Sequence, residues 1–262
     1  MRDRFILSSL VKTDLNLKYK KSVLGVAWSI LTPLGLVIII GVVYSIIFNM
    51  KMKDFIPGLF TGLNPWIFLS ASADGGTMAF IGAEGYLKQT STNSQIFPIR
   101  NVLVNFINLL YSIVAFFIIY IFLKPNMFNL GMLMAIVGLI INLIFAIASS
   151  NVSAVINLKI RDFQPFQSLI YQGLFYATPI IFPAKILKEK GFEYLYRINP
   201  FYYMIEIIKT PLLGEKLPSM DIYLTAIGIS VVWFFFSVFL VMKEKYNGIT
   251  ISIYEEEIEK YE

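Results

Sequence analysis

Long apolar runs separated by short polar segments dominate this chain. Six runs are about 20 residues or longer, the length that an α-helix needs to cross roughly 30 Å of hydrocarbon. Backbone groups in lipid must be hydrogen-bonded within their own segment, so we expect each run to be helical. The pattern predicts an all-α integral membrane protein, a single domain over 1-262, with six transmembrane helices at about 23-48, 59-83, 101-123, 130-156, 165-183 and 221-242.

Two of these spans are predicted to be irregular. The segment 59-83 contains Asn64-Pro65 and Asp74-Gly75-Gly76, and the segment 165-183 contains prolines at both ends. The 37-residue loop at 184-220 includes a short apolar and aromatic helix that starts near Asn199 and stops at Pro211. That helix is too short to span, so we expect a re-entrant or interfacial helical hairpin on the outer side.

Residues 1-22 are predicted to form an amphipathic interfacial helix. Its end carries Lys18, Tyr19, Lys20 and Lys21, which would hold the helix at an anionic headgroup surface, with Trp28 one to two turns into the bilayer. A simple topology anchor explains the same residues equally well.

The distribution of basic residues predicts the orientation. The predicted inner segments hold 13 Lys and Arg, whereas the short outer segments hold 3, which places both termini on the cytoplasmic side. The chain is 57% hydrophobic with a mean hydropathy of +0.69, and its net charge of +5 suits anionic lipids better than nucleic acid.

Several classes of chemistry are excluded. The chain has no Cys and no His, which removes thiolate, disulfide and histidine chemistry. The acids near the spans, Asp74, Glu84, Asp162 and Asp221, form no acid-base pair or metal site at close spacing. The sequence also lacks a GxxxxGK[ST] phosphate loop, so ATP-driven work would need a separate subunit.

Polar residues recur at helical spacing in two spans. One stripe is Asn101, Asn105, Asn108 and Ser112, and the other is Asn142, Ser149, Ser150, Ser153 and Asn157. Such stripes face protein or water in a membrane. They predict either hydrogen bonds between packed helices or the lining of a polar conduit.

Aromatic residues also recur on the first and fifth spans. They include Trp28, Tyr44, Tyr171 and Phe175. Aromatic faces can pack on sugar rings while tyrosine hydroxyls bind sugar hydroxyls, although membrane belts and core packing account for many aromatics. The inner loop at 84-100 ends in Phe97-Pro98, which predicts an extended turn before the next helix and a surface for a cytoplasmic partner.

Four stretches together resemble the membrane subunit of ABC-2 type polysaccharide exporters, the group that includes teichoic acid and O-antigen permeases. They are "KYKKSVLGVAWSILTPL" at 18-34, "FPIRNVL" at 97-103, Arg161-Asp162, and "NPFYYMIEIIKTPLL" at 199-213. The resemblance covers essentially the whole chain, and the junction from basic residues into "LGxxWxxLxP" is its most specific part.

The resemblance implies a bacterial cytoplasmic-membrane exporter with two copies of this chain and two copies of an ATPase that binds ATP and Mg. The substrate would be an undecaprenyl-pyrophosphate-linked polysaccharide. The resemblance implies an interfacial gate at Lys18, Tyr19, Lys20 and Lys21, and a helix that couples to the ATPase at Tyr86, Leu87, Lys88 and Gln89. It implies an outer gate at Asn199, Pro200, Tyr202 and Tyr203. The implied substrate path contains Trp28, Tyr44, Asn105, Asn108, Tyr171 and Phe175.

Two other functions stay open on the sequence. An ABC-2 permease for drugs or small lipids would share the same fold. A membrane enzyme that modifies a polyprenyl lipid, with Asp74 or Glu84 as its base, is disfavoured by the absence of His and of paired carboxylates. In the transporter hypotheses the chain itself is not an enzyme and binds no cofactor.

Overall fold

A computed structural model describes residues 2–20, 24–25, 27–89 and 92–247, which form helices joined by short turns and include no β-strand. The side chains of Tyr19, Lys88 and residues 245–247 also lie outside the description. The α-helices are α1 (Arg2–Tyr19), α2 (Ala27–Ile47), α3 (Met52–Thr77), α4 (Glu84–Gln89), α5 (Ile96–Leu123), α6 (Met134–Lys159), α7 (Phe163–Ala177), α8 (Ala184–Glu189), α9 (Glu193–Arg197), α10 (Pro200–Leu212) and α11 (Met220–Asn247).

Four helical stretches within these residues are long and apolar enough to cross a membrane. They are Ala27–Ile47, Ile96–Leu123, Leu130–Lys159 and Met220–Glu244. They correspond to the first, third, fourth and sixth predicted spans. The third of these stretches begins with a 3-10 turn at Leu130–Leu133 before α6.

The second and fifth predicted spans correspond to α3 and α7, which are not among these four stretches. Helix α3 is 26 residues long, but its face towards the other helices is polar in places and it contains Pro57 and Pro65. Helix α7 has 15 residues, which corresponds to about 22 Å of rise. It ends at Ala177 because Thr178, which precedes Pro179, has extended backbone angles.

The predicted extended turn at Phe97-Pro98 is wrong. Helix α5 begins at Ile96, so Pro98 is the third residue of the helix. Proline is tolerated in the first turn because the backbone N–H groups there have no intrahelical acceptor. The predicted boundary at residue 101 therefore lies five residues too late.

Helix α3 is the centre of the packing, in contact with α2, α5, α6, α7 and α10. Glycine permits its closest approaches. A Cβ on Gly76 would lie 2.6 Å from the carbonyl oxygen of Ser150 on α6, and a Cβ on Gly75 would lie 2.2 Å from Oδ1 of Asn101 on α5. These two glycines therefore let the polar end of α3 pack directly on its neighbours.

Helix α10 is the most deeply buried part of the segment 184-220. Met204, Ile207 and Ile208 have essentially no exposed surface, and the helix packs on α3, α6 and α11. A Cβ on Gly138 of α6 would lie 2.4 Å from the carbonyl oxygen of Ile207. The segment predicted as a helical hairpin is thus three helices, α8, α9 and α10, of which the last belongs to the core.

Candidate functional site

A groove with a volume of about 360 Å³ lies between α2, α3 and α5, and we call it the polar groove. Its walls combine apolar side chains with hydroxyl and amide groups, and two of its three helices, α2 and α5, are strongly apolar. The residues that line it are Lys18, Trp28, Ser29, Thr32, Pro33, Leu36, Asn64, Ile67, Phe68, Ala71, Asn105, Asn108, Leu109 and Ser112.

Three of the six residues predicted for the substrate path meet in the polar groove. Trp28 comes from the first turn of α2, and Asn105 and Asn108 come from successive turns of α5. Asn64 of α3 joins them from the opposite wall. The sequence marked Asn64 only as an irregularity beside Pro65; its position on the same face as Ile67, Phe68 and Ala71 was the available signal for a role in the groove.

The amide groups in the groove are anchored through their nitrogen atoms. Asn64 Nδ2 donates to the carbonyl of Phe60 at 2.9 Å, Asn108 Nδ2 donates to the carbonyl of Val104 at 2.9 Å, and Asn105 Nδ2 donates to Oδ1 of Asn101 at 3.2 Å. Ser29 bridges two walls by donating to Oδ1 of Asn108 at 3.5 Å. Each amide is therefore held in place by its own helix and presents a fixed polar group.

The neighbouring Asn101 has a different role. Its Nδ2 donates to the carbonyl of Ser72 on α3 at 2.8 Å, at the close approach made by Gly75. The stripe on α5 is thus divided: Asn101 joins two helices, whereas Asn105, Asn108 and Ser112 line the polar groove. The hydrogen-bond interpretation therefore applies to Asn101 and, through Ser29, to Asn108, whereas the lining of a polar conduit stays a prediction.

The stripe on α6 joins helices. Asn157 Nδ2 donates to the carbonyl of Thr77 at 2.9 Å, and Asn142 Nδ2 donates to the carbonyl of Met204 at 2.8 Å. Ser149 accepts a hydrogen bond from Nε1 of Trp233 on α11 at 3.0 Å. These contacts connect α6 to α3, α10 and α11, as expected for polar groups that replace lipid contacts with interhelical hydrogen bonds.

Tyr171 and Phe175 lie outside the polar groove, in an aromatic cluster with Trp66 and Phe201. The ring centroids of Trp66 lie 5.4 Å from Phe175 and 5.0 Å from Phe201, and those of Tyr171 and Phe201 lie 5.1 Å apart. Such separations are typical of stabilising aromatic pairs. The cluster joins α3, α7 and α10.

Tyr44, the remaining residue of the predicted path, is also outside the groove. Its ring stacks on Phe48 with a centroid distance of 5.8 Å, near the end of α2. The structure therefore divides the six predicted path residues into a groove set, an aromatic cluster and one separate stacked pair.

The carboxylate of Asp74 joins α3 to α7. Its Oδ1 accepts hydrogen bonds from Nε2 of Gln167 at 3.2 Å and from Oγ of Ser168 at 3.3 Å. Oε1 of the buried Gln167 in turn accepts from Ser153 of α6 at 2.6 Å. The sequence singled out Asp74 as an isolated acid but gave no indication of these partners.

The predicted interfacial gate adjoins the polar groove. Lys18 lines that groove, and Lys20 lines a second groove between α1 and α5. Tyr19 ends α1, but its side chain and Lys21 lie outside the described residues. The positive φ of 47° at Gly25, a region that glycine adopts readily, accompanies the turn from α1 into α2.

The predicted coupling residues form α4, a helix of only six residues. Tyr86 is 40% exposed and packs its ring edge-on against Phe97 of α5 at 5.7 Å. Leu87 is partly buried, and Gln89 is exposed. The side chain of Lys88 lies outside the description. The short helix thus exposes Tyr86 and Gln89, and an aromatic contact joins it to α5.

The predicted outer-gate residues surround the start of α10. Asn199 caps this helix by accepting from the backbone N–H of Phe201 at 3.0 Å, and its Nδ2 donates to Oγ1 of Thr178 at 2.7 Å. Pro200 occupies the first helical position. Tyr202 packs on Tyr196 at 4.7 Å, and the Tyr203 hydroxyl donates to the carbonyl of Arg197 at 2.9 Å.

Helix α9, which precedes α10, carries an ion pair between residues one turn apart. Arg197 Nη2 lies 2.6 Å from Oε1 of Glu193. The hydrogen bond from Arg197 lowers the pKa of the Glu193 carboxyl below its usual range. Among the described residues there is no group of three or more Asp, Glu, His or Cys side chains that could hold a metal ion.

The four helices that are long and apolar enough to cross a membrane define a multi-pass membrane protein, and the polar groove lies between three of its helices. Residues 7–213 match the ABC-2 type transporter family, and the chain belongs to that family. It is therefore a transport permease, a class of subunit that carries out no covalent chemistry.

The chain is similar over most of its length to curated permeases. It is 29% identical over 204 residues to an O-antigen export system permease protein RfbA of Klebsiella pneumoniae, covering 76% of this chain and 77% of the relative. A second RfbA of K. pneumoniae is 27% identical over 86% of this chain and 90% of its own. The RfbA of Myxococcus xanthus is 25% identical over 93% of this chain and 94% of its own.

Proposed function

We propose that this chain is the permease subunit of an ATP-driven exporter that moves an undecaprenyl-pyrophosphate-linked polysaccharide across the bacterial cytoplasmic membrane. The observation that carries the proposal is the match, nearly from end to end, to permeases named for O-antigen export. The substrate would be O-antigen, teichoic acid or a related cell-surface glycan. Two copies of the chain would work with two copies of an ABC ATPase, which would bind ATP and Mg.

The proposed topology has six spans and both termini in the cytoplasm. Helices α3 and α7 supply the second and fifth spans: α3 is surrounded by other helices and carries its polar groups against them, so it needs less apolar surface than a helix that faces lipid. The segment from α8 to α10 forms the outer hairpin, and α4 faces the ATPase. The excess of basic residues in the inner segments supports this orientation.

The polar groove supports a polymer as the substrate. Sugar hydroxyls need hydrogen-bonding partners along their path, and Asn64, Asn105 and Asn108 supply fixed amide groups beside the indole ring of Trp28. Burying a hydroxyl without such a partner is costly. We propose that this face of the permease contacts the glycan as it moves, and that the lysines at the end of α1 receive the pyrophosphate.

The experiment that tests the function is depletion of the protein in its own host, followed by extraction of lipid-linked glycans from the inner and outer sides of the membrane. An exporter of this kind should leave a full-length lipid-linked polymer on the cytoplasmic side and remove it from the surface. Re-expression should restore export, whereas the triple variant Lys18→Glu, Lys20→Glu and Lys21→Glu should not, even when its insertion is normal.

Each of the following results would contradict the proposal. Normal surface polymer after depletion would exclude glycan export, and sensitivity to drugs or loss of a small lipid from the surface would instead indicate the small-molecule permease. Conversion of a lipid-linked substrate by the purified chain alone would indicate the enzyme. Co-purification of an ATPase with the permease tests the proposed assembly separately from the substrate.

A further inference from the structure

A second groove lies between α1 and α5, and we call it the α1–α5 groove. Its volume is about 1010 Å³. Its apolar wall combines Leu7, Val11 and Leu15 of α1 with Leu103, Ile107 and Tyr111 of α5. The three residues of α5 are spaced by four, so they form a stripe of their own, on a different face of the helix from Asn105, Asn108 and Ser112. The two grooves are therefore separate sites.

The length of the apolar wall matches one leaflet of a bilayer. Helix α5 begins near the ion pair between Arg100 and Asp14, and the groove extends along it as far as Tyr111. The α5 side of the wall, from Leu103 to Tyr111, rises by about 12 Å. This distance is close to half of the roughly 30 Å thickness of the hydrocarbon layer. The wall is therefore long enough to cover most of one acyl chain.

The rim of the groove is cationic. Arg4, Lys12 and Lys20 line it, and no Asp or Glu is among the described residues that do so. The nearby carboxylate of Asp14 is already held by two hydrogen bonds from Arg100. Arg4 and Lys12 are exposed. The groove thus combines an apolar wall nearly as long as one leaflet is thick with positive charges spaced along α1.

We propose that the α1–α5 groove binds an anionic diacyl phospholipid from the leaflet at which α5 begins. Its phosphate lies between Arg4 and Lys12, which are about two turns apart on α1, and an acyl chain lies along Leu103, Ile107 and Tyr111. The lipid stabilises α1 against α5 and is distinct from any transported molecule. This site depends only on the membrane position of the two helices, so it does not require that the cargo is a glycan.

The test is native mass spectrometry of the full-length permease, purified in detergent and titrated with phosphatidylglycerol or phosphatidylcholine. Phosphatidylglycerol should bind more tightly than phosphatidylcholine. Each basic residue near a membrane surface adds a similar increment of attraction for anionic lipid, so the double variant Arg4→Gln and Lys12→Gln should bind phosphatidylglycerol about 30-fold more weakly. Ile107→Trp, which fills the apolar wall, should weaken binding with all three cations still present.

The matched control is the double variant Lys190→Gln and Lys216→Gln, which removes two exposed charges elsewhere. It should bind phosphatidylglycerol as the unmodified protein does. The proposal is overturned if the two phospholipids bind equally, or if the control loses as much affinity as the rim variant. It is also overturned if undecaprenyl phosphate displaces phosphatidylglycerol from the protein, because the groove would then belong to the polyprenyl cargo. The melting temperature of each variant separates lost binding from lost folding.

Discussion

Asp14 of α1 accepts two hydrogen bonds from the guanidinium group of Arg100, one from Nε and one from Nη2. This bidentate pair fixes the amphipathic helix to the first turn of α5, next to both grooves. The side chains are 25% and 31% exposed, so water screens the pair only in part. The Asp14–Arg100 pair is therefore a specific contact that holds α1 against α5.

Loss of this pair should release α1. We expect Asp14→Asn to increase tryptic cleavage at Lys12 in the purified protein, with a loss of stability of about 1 kcal/mol, since a partly exposed pair contributes little more than that. Asp3→Asn removes the same charge from the same helix and should leave cleavage unchanged. Combining Asp14→Arg with Arg100→Asp should restore part of the protection against trypsin. Equal cleavage of the unmodified protein, the two single variants and this double variant would contradict the prediction.

Leucine substitutions should separate the two roles of the stripe on α5. Asn105→Leu and Asn108→Leu remove polar groups from the polar groove, so we expect reduced export with normal abundance and melting temperature. Asn101→Leu removes the hydrogen bond to Ser72 and crowds Gly75, so it should lower the melting temperature. Surface polymer and protein abundance measured in the same cells distinguish these outcomes. Full export by the Asn105→Leu and Asn108→Leu double variant would exclude the groove as a path.

Two helical glycines should respond oppositely to alanine. At Gly138 a Cβ would meet the carbonyl oxygen of Ile207 at 2.4 Å, whereas at Gly228 it would meet nothing within 4 Å. Gly138→Ala should destabilise the protein by about 1–3 kcal/mol through overpacking. Gly228→Ala should be neutral or stabilise by up to about 1 kcal/mol, because alanine is the better helix former. Thermal unfolding in detergent measures both, and equal shifts would show that α6 and α10 are not in close contact.

Substitutions of Asp74 distinguish a structural role of its side chain from a role as a catalytic base. Asp74→Ala leaves the buried Nε2 of Gln167 without its acceptor, which should cost about 1–3 kcal/mol. Asp74→Asn keeps an acceptor oxygen and should retain most of the stability and the export activity. If Asp74 were the base of an enzyme, the asparagine variant would be inactive although folded. Export assays and melting curves on both variants decide the matter.

The pair of Asp54 and Lys124 predicts a small dependence on pH. The hydrogen bond from Lys124 lowers the pKa of the Asp54 carboxyl from its ordinary value of 3.8. A carboxyl with a depressed pKa adds stability above its unfolded pKa and loses that contribution as the pH falls through its folded pKa. Lys124→Met should therefore lower the melting temperature slightly at pH 6, and the difference from the unmodified protein should shrink below pH 3.8. A difference that grows on acidification would contradict this account.

The sequence was sufficient for much of the helical pattern because apolar length is a local property. It located the helices α2, α6 and α11 to within a few residues, and Pro179 explains why α7 stops at Ala177. It misplaced the start of α5 because proline is compatible with both an extended turn and the first turn of a helix. In the structure Phe97 packs against Tyr86 at the start of the helix, a contact that a linear pattern does not contain.

The candidate site was less predictable because periodicity gives the face of a helix but not its neighbour. The stripe on α5 correctly marked Asn105 and Asn108 as sharing a face, and the face shared by Asn64, Ile67, Phe68 and Ala71 on α3 did not show which helix it would meet. Tyr171 and Phe175 also share a helix, but their partners Trp66 and Phe201 are more than 20 residues away in the chain. Such pairings arise only when α3, α7 and α10 meet.

The burial of α10 also constrains the order in which the protein is assembled. This helix has no exposed surface at Met204, Ile207 or Ile208 and packs partly on α11, which is synthesised after it. While the ribosome is still making α11, α10 therefore has only part of its final environment. The last span must enter the membrane before the core can close, so a chain truncated before Met220 should be recognised by quality-control proteases although most of its helices are already inserted.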